Sequence, residues 1–285
     1  MIKIEGKPHD LGGGMLIHRL LPDRKKRLVG PFCFLDRMGP FTAEPGQNTD
    51  VRPHPHIGLS TLTYLLAGRM VHRDSLGSEA VIVPGEVNWM TAGKGISHSE
   101  RAHKEDKKIA HEMHGLQFWI ALPDGGEEVE PSFQHYLQTQ IPVQENAETK
   151  ISLIAGEGFG LKSPVKISSP LVLASIEAKQ EFKLLTAFPQ FEIALAVLKG
   201  SVECGSETIT ENQLVVFDHG ASLQAKLSEG AHVILFGGEP IATPRYMWWN
   251  LVSSSKERIE VAKKQWQDGS FPMVPGETEF IPLPE

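Results

Sequence analysis

The sequence predicts an all-β protein with two domains of the barrel or sandwich type and one C-terminal helix. Short runs of strand-forming residues recur about every eight to twelve residues, a spacing typical of antiparallel barrels and sandwiches rather than of βαβ units. The 27 Gly and 20 Pro are spread along the 285 residues, as expected for many short strands joined by turns. The second half of the chain resembles the first, which indicates two similar domains.

The strand pattern is strongest in the first half of the chain. Residues 1–50 mix short apolar runs with Gly and Pro, and we expect short strands and loops there. Further strands are predicted at 59–67, 70–74, 80–83, 87–91 and 116–122. Their bounds coincide with turn formers such as Gly68 and the Pro84-Gly85 pair.

A stretch of acidic and polar residues at 124–148 divides the chain into two parts. Beyond it, residues 196–203 resemble 64–71, and residues 211–220 resemble 84–93, as in a diverged duplication. We therefore expect an N-terminal domain at 1–130, a linker at 131–149 and a C-terminal domain at 150–285 that includes the final helix.

The C-terminal helix is predicted between Ser254 and Gly269. Ser254 and Glu257 have the spacing of a capping box, and Gly269 stands where a helix commonly ends in a left-handed residue. Between them Ile259, Ala262 and Trp266 form an apolar stripe. We expect this stripe to pack on a barrel.

Composition excludes several classes of function. A net charge of −7 and a pI near 6.0 give no electrostatic basis for binding nucleic acid or membranes. Cys33 and Cys204 are expected to be free thiols of a reducing compartment. The N-terminus lacks the apolar segment of a signal peptide, and no run of about 18 apolar residues occurs, so the expected location is cytoplasmic.

Two pairs of ligand-type residues predict a metal site in the N-terminal domain. Because alternate side chains of a strand share a face, His54 and His56 point the same way, and so do His98 and Glu100. If the two strands pair or face each other, three imidazoles and a carboxylate converge. Such a ligand set suits octahedral Fe(II), Mn(II), Co(II) or Ni(II) with two positions open, whereas structural zinc favours Cys and four filled positions.

The remaining histidines are weaker candidates. We expect His72 and His103 to be solvated, and His114 to lie at a barrel edge or behind the metal ligands. In the second half, Thr186 and Phe188 occupy the positions that correspond to His54 and His56 when counted back from Gly200 and Gly68. Neither is a good ligand, so the C-terminal domain is expected to lack a metal.

These motifs resemble the pirins, a family within the cupin superfamily. The resemblance rests on four strings: His54-Pro55-His56-Ile57-Gly58, YLLAG at 64–68, PGEVNWMTAGKGISHSE at 84–100, and HGLQFW at 114–119. It is dense over residues 50–123 and faint in the second half. It implies a monomeric bicupin of two β-barrels, with a metal in the N-terminal barrel alone.

The same resemblance implies iron held by His54, His56, His98 and Glu100, with Mn, Co, Ni, Cu or Zn as alternatives. Some pirins cleave the flavonol quercetin with dioxygen, and others are regulators that bind protein partners. Many members carry Glu four residues after the second His, where this chain has Ser60.

Two hypotheses of function follow, together with a plainer one. The first is a quercetin 2,3-dioxygenase acting on a phenolic substrate, in which the metal lowers the pKa of a substrate hydroxyl and Glu100 is the catalytic base. The second is a non-enzymatic, iron-dependent redox sensor that binds a protein partner, which Ser60 favours. The plainer one is a closed, structural metal site.

Overall fold

The structure is a computed structural model that describes residues 1–11 and 15–284. Strands account for 53% of it and helix for 6%, so the predicted all-β class is confirmed. Residues 12–14, within the region of expected strands and loops at 1–50, lie outside the described part.

The described chain contains many short strands and one α-helix. In chain order the first half has β1 Ile2–Glu5, β2 Lys7–Asp10, β3 Leu16–Leu21, β4 Phe32–Ala43, β5 Val51–His56, β6 Leu59–Ala67, β7 Met70–Asp74, β8 Glu79–Ile82, β9 Val87–Thr91, β10 Ile96–Ala102, β11 His111–Ala121 and β12 Ser132–Tyr136. The second half has β13 Val143–Glu145, β14 Thr149–Gly158, β15 Leu161–Lys162, β16 Leu171–Ala178, β17 Phe182–Ala187, β18 Glu192–Lys199, β19 Ser201–Cys204, β20 Glu207–Thr210, β21 Gln213–Val216, β22 Ser222–Leu227, β23 His232–Gly238, β24 Tyr246–Trp248, β25 Leu251–Ser253 and α1 Lys256–Gln267. Two 3₁₀ turns lie at Asp106–Lys108 and Gln138–Gln140.

The chain groups into two compact units. The first unit comprises His9–Ile17, Arg37–Gln138 and Ile241–Glu285, and the second comprises Met1–Pro8, His18–Asp36 and Thr139–Pro240. Helix α1 thus belongs to the first unit. The contiguous domain bounds expected from the sequence, with a linker at 131–149, stay a prediction.

In the first unit two sheets enclose a core. One sheet has the order β5-β10-β7-β8, and the other contains β12-β9-β6-β11 and residues 37–43 of β4. Leu65 and Met113 of the second sheet pack with Met70 and Ile82 of the first in one buried cluster. The two sheets therefore face each other across a shared interior.

The second unit repeats this layout. Its smaller sheet has the order β17-β22-β19-β20, and its larger sheet has the order β1-β21-β18-β23-β16-β14-β13, with β15 paired to β14. The order β21-β18-β23 matches β9-β6-β11, and β17-β22-β19-β20 matches β5-β10-β7-β8. The internal repeat predicted from the two similar hairpins is confirmed by this matching strand order.

Two strand predictions differ from the structure. The strand expected at 116–122 begins at His111 and ends at Ala121, and its pairing with β6 starts at His114, which lies opposite Ala67. The polar stretch at 124–148 contains β12 and β13, which pair with β9 and β14. Both are only partly buried or exposed, so they lack the apolar alternation that makes a strand recognisable.

Helix α1 confirms the predicted stripe and corrects its start. Ile259, Ala262 and Trp266 are buried and pack with Ile57 and Leu251. The N-cap is Ser255 rather than Ser254, and its hydroxyl accepts a hydrogen bond from the Arg258 N–H. Within the described residues, no helix has the length and apolar character needed to span a membrane. Cys33 and Cys204 are buried thiols, and neither forms a disulfide.

Candidate metal centre

Strand pairing brings the two ligand pairs together. Strands β5 and β10 are antiparallel neighbours, with His98 opposite His54 and Ile96 opposite His56. A bulge interrupts the pairing between His98 and Glu100. The alternation of side chains then directs the three histidines to the same side of the sheet.

The three imidazoles form one buried cluster. One ligand nitrogen from each of His54, His56 and His98 lies within 4.8 Å of the others. The Nε2 atoms of His56 and His98 are 3.1 Å apart, and the ring centroids of the three pairs are separated by 4.4 to 5.0 Å. Their exposed fractions are 6%, 0% and 1%, so these rings are withdrawn from solvent.

Each ring is held through its Nδ1 atom. The Nδ1 atoms of His54 and His56 lie 2.9 and 3.1 Å from the carbonyl oxygens of Arg52 and Asn250. A carbonyl can only accept, so both rings carry their proton on Nδ1 and present an Nε2 lone pair. This is the tautomer that a metal-binding histidine needs.

Burial keeps these imidazoles neutral. It lowers the pKa of His54 to about 4, an effect that the Arg52 carbonyl partly opposes. Burial also lowers the pKa of His56 and of His98 well below the ordinary value, and repulsion from the neighbouring imidazoles adds to it. At neutral pH the cluster therefore offers unprotonated nitrogens, the form in which histidine binds a metal.

Glu100 lies beside the cluster but not within the group of converging atoms, which comprises the three histidines alone among the described residues. Its Oε1 atom is buried and has no hydrogen-bond partner in the described part of the chain. Burial raises the pKa of Glu100 to about 7, against a hydrogen bond with Thr63 that lowers it. A buried carboxylate oxygen without a partner is costly unless a cation or proton satisfies it.

This donor set fits a metal ion. Three neutral imidazole nitrogens are ligands that first-row divalent metals accept, and burial limits competition by water. The site has no cysteine, which structural zinc sites generally use.

His72 contradicts the expectation that it is solvated. Its exposed fraction is 4%, its Nε2 atom lies 3.1 Å from Asp74 Oδ2, and its ring stacks on Phe133 with centroids 4.1 Å apart. The sequence did contain a signal for its burial, because His72 and Asp74 alternate and so share one face of β7. In the structure β7 pairs with β10, the strand that carries His98. His103 is partly exposed, and His114 accepts a hydrogen bond from Arg37 Nε at 3.2 Å.

Ser60 occupies a closed position. It is fully buried, and its hydroxyl lies 3.1 Å from the Thr91 hydroxyl, which in turn accepts a hydrogen bond from Trp89 Nε1 at 3.2 Å. The Ser60 hydroxyl is therefore engaged in local hydrogen bonds. With Ser rather than Glu here, this position supplies no carboxylate to the histidine cluster.

The interior of the second unit is apolar. Val172, Leu195, Val202 and Leu227 belong to one buried cluster that both of its sheets share. Thr186 lies on β17, the strand that matches β5 in the sheet order.

Comparisons with known proteins agree with this geometry. The Pirin family model matches residues 15–120, and the model of the Pirin C-terminal cupin domain matches residues 171–272. A pirin-like protein of Caulobacter vibrioides is 47% identical over 277 residues, covering 96% of each chain. A pirin-like protein of Arabidopsis thaliana is 30% identical over 278 residues, covering 94% of this chain and 83% of its own length.

Solved structures show the same fold. The crystal structure of a quercetin 2,3-dioxygenase from Acinetobacter baumannii superposes with a TM-score of 0.92 at 37% identity, covering 100% of this chain and 95% of that chain. The predicted class of two cupin-type β-barrels with a C-terminal helix is thereby confirmed. With both family models matched and a relative alike along nearly its whole length, the chain belongs to the pirin family.

Proposed function

We propose that this protein is a metal-dependent dioxygenase that cleaves a flavonol such as quercetin. The carrying observation is the buried cluster of His54, His56 and His98, in which backbone carbonyls orient His54 and His56 for binding through Nε2. The likeness at 37% identity to a protein described as quercetin 2,3-dioxygenase supports the substrate class.

We propose His54, His56, His98 and Glu100 as the metal ligands. The unsatisfied Oε1 of Glu100 supports the fourth ligand, since a bound cation would give that buried oxygen a partner. Bound there, Fe(II), or one of Mn, Co, Ni, Cu or Zn, would supply a Lewis acid for a phenolic oxygen and, if redox-active, electrons for dioxygen chemistry.

The chain's own groups have two tasks in this scheme. The three imidazoles would hold the metal through their Nε2 atoms, and the buried walls around them would place the phenolic substrate's hydroxyl in a site of low polarity. Glu100, when its carboxylate is not a metal ligand, would accept the proton of that hydroxyl and leave the substrate as the enolate that reacts with dioxygen. The reaction opens the flavonol ring.

Oxygen uptake tests this proposal. Metal-free protein is loaded anaerobically with Fe(II), mixed with quercetin and then exposed to oxygen. We expect uptake that requires iron and is abolished in His56→Ala, while the matched variant His135→Ala, which alters a histidine bonded to Asn88 outside the cluster, keeps it. Tight iron binding without uptake by the wild type would reject the dioxygenase.

Ser60 supports a second candidate, an iron-dependent redox sensor that binds a protein partner. Its committed hydroxyl leaves the cluster without the carboxylate that many family members carry at this position. Hydrogen exchange would then differ between the Fe(II) and Fe(III) forms at the surface near β5 and β10. Identical exchange in both forms would reject this role.

The proposed setting is a cytoplasmic monomer that binds neither nucleic acid nor membrane. The net charge of −7 and the two buried thiols that form no disulfide support it. Cell fractionation and light scattering after size-exclusion chromatography test the location and the monomer. Limited proteolysis tests the proposed linker at 131–149.

A further inference from the structure

His98 is held differently from the other two histidines of the cluster. Backbone carbonyls fix His54 and His56, whereas the Nδ1 atom of His98 lies 3.4 Å from Nδ1 of His72. The orientation of His98 therefore depends on another side chain, and hence on whatever fixes that side chain.

His72 is fixed by Asp74. Strands β7 and β10 pair so that Asp74 lies opposite His98 and His72 lies opposite Glu100. The His72 Nε2 atom lies 3.1 Å from Asp74 Oδ2, and stacking on Phe133 at an interplanar angle of 7° restrains the ring. His72 and Asp74 are buried, with exposed fractions of 4% and 0%.

Asp74 is itself fixed in orientation and charge. Its Oδ1 atom accepts hydrogen bonds from the backbone N–H groups of Leu76 and Ser78, at 2.9 and 3.0 Å, which leaves Oδ2 facing His72. Burial raises the pKa of this carboxyl, but the hydrogen bonds from His72 and Ser78 outweigh it, and the net shift is downward. Asp74 is therefore an acceptor on both oxygens.

The contacts from Asp74 through His72 to His98 determine which ring nitrogen of each histidine carries the proton. The Asp74 carboxylate can only accept, so His72 donates from Nε2 and, as a neutral imidazole, has a lone pair on Nδ1. That lone pair needs a donor, so His98 carries its proton on Nδ1. The Nε2 atom of His98 is then left with a lone pair, 3.1 Å from Nε2 of His56.

We propose that Asp74 and His72 are positioning residues that set the tautomer of His98 and so prepare its Nε2 atom for the metal. The metal part of this inference rests on the proposed function, whereas the tautomer part concerns the metal-free protein. Carboxylate–histidine pairs behind a metal ligand commonly act in this way, and their loss lowers metal affinity about 10- to 100-fold.

The substitution Asp74→Asn reverses the direction of each hydrogen bond between residue 74, His72 and His98. The two backbone N–H groups hold the amide oxygen, so the amide NH₂ faces His72 and donates to its Nε2 atom. His72 must then donate from Nδ1, and His98 must accept there and carry its proton on Nε2. A protonated Nε2 cannot bind a metal.

The test has two readouts on the full-length chain. Long-range ¹⁵N–¹H spectra of the metal-free protein report the tautomer of each histidine, and calorimetry with Ni(II) as the probe reports affinity. We expect Nδ1–H on His98 in the wild type, Nε2–H in Asp74→Asn, and Ni(II) affinity about 10- to 100-fold lower in the variant. An unchanged His98 tautomer in a folded Asp74→Asn would overturn the inference.

A second variant and a control separate this effect from misfolding. His72→Phe keeps an aromatic ring against Phe133 but removes the nitrogen that accepts from His98, so we expect mixed His98 tautomers and weaker Ni(II) binding. A wild-type tautomer together with wild-type Ni(II) affinity in this variant would also overturn the inference. Asp106→Asn, which alters another buried carboxylate bonded to Arg69, should keep the wild-type tautomer and affinity. If the wild type shows no oxygen uptake, the dioxygenase proposal is rejected. The spectra would still show whether Asp74 and His72 set the tautomer of His98.

Discussion

At the scale of single residues, the cluster depends on backbone geometry that a sequence motif does not express. Gly58 follows the His56-Ile57 pair in a left-handed conformation, with φ of +66°, and a Cβ there would lie 2.0 Å from the Val252 carbonyl oxygen. The same hairpin, β24–β25, supplies the Asn250 carbonyl that holds His56. The missing side chain of Gly58 therefore permits the close approach that orients a proposed ligand.

We expect Gly58→Ala to destabilise the protein by about 3 kcal/mol or more, because it adds a backbone clash to the strain of a left-handed residue. Gly77→Ala is the matched control, since its φ is +84° and nothing lies within 4 Å of its Cβ position. The control should cost about 1 kcal/mol. Urea unfolding of both variants measures the difference, and equal losses would show that the contact with Val252 does not matter.

The start of α1 is also decided by one residue. The Ser255 hydroxyl accepts the Arg258 N–H and donates to Glu257, whereas Ser254 contributes its backbone N–H to Glu127. Ser255→Ala should therefore lower the free energy of unfolding by about 1 kcal/mol, and Ser254→Ala by much less. Thermal or urea unfolding of the two variants checks this, and the reverse order would restore Ser254 as the cap.

At the scale of elements, strand β10 is held on both faces. His98 and Glu100 point inward, while Ser97, Ser99 and Arg101 point outward to the residues that follow α1. Ser97 Oγ donates to the Pro272 carbonyl, and the Glu277 carboxylate accepts from Ser99 Oγ at 3.0 Å and from Arg101 Nε at 3.2 Å. The C-terminal segment thus restrains the strand that carries two of the proposed ligands.

This contact predicts a pH dependence of stability. The hydrogen bond from Arg101 holds the pKa of Glu277 below its ordinary value of 4.5, so the carboxylate stabilises the fold above about pH 4.5 and loses this effect as the pH falls through the lowered pKa. We expect Glu277→Gln to cost about 2 kcal/mol at pH 7 and clearly less near pH 3.5. Urea unfolding at both pH values measures this.

Glu279→Gln is the control for that experiment. Glu279 pairs with the same arginine, but its side chain is 52% exposed, so the loss should stay below about 1 kcal/mol at either pH. A cost for Glu277→Gln that does not shrink on acidification would contradict the proposed role of its charge.

At the scale of the whole molecule, the two units share one strand order but differ in the side chains of their interiors. The strand orders of the two units match, yet His54, His56 and His98 converge in the first, while apolar side chains such as Val202 and Leu227 meet in the second. Only a ligand that binds the native state can add stability, and it does so according to its affinity. A metal held by the cluster should therefore stabilise the first unit.

Adding Fe(II) anaerobically at about a hundred times its Kd should stabilise the wild type by about 2.7 kcal/mol. His56→Ala should show almost none of this gain, because it removes a buried nitrogen from the cluster. Differential scanning calorimetry with and without a chelator measures the shift. An equal shift in both proteins would place the metal elsewhere.

Much of this molecule was predictable from its sequence, because the relevant interactions are local. Runs of strand-forming residues between turn formers predicted β6, β7 and β9, the apolar stripe predicted α1, and the spacing of His54 and His56 put both on one face. These patterns follow from the periods of strands and helices, which any short stretch of chain displays.

The tertiary structure decided what depends on contacts between distant segments. His72 looks solvated in sequence but is buried behind His98, because β7 pairs with β10. The Asn250 carbonyl reaches His56 across 194 residues, and Glu277 reaches Arg101 across 176. No local period encodes such contacts, since they arise only when the sheets close and bury the groups that must then find partners.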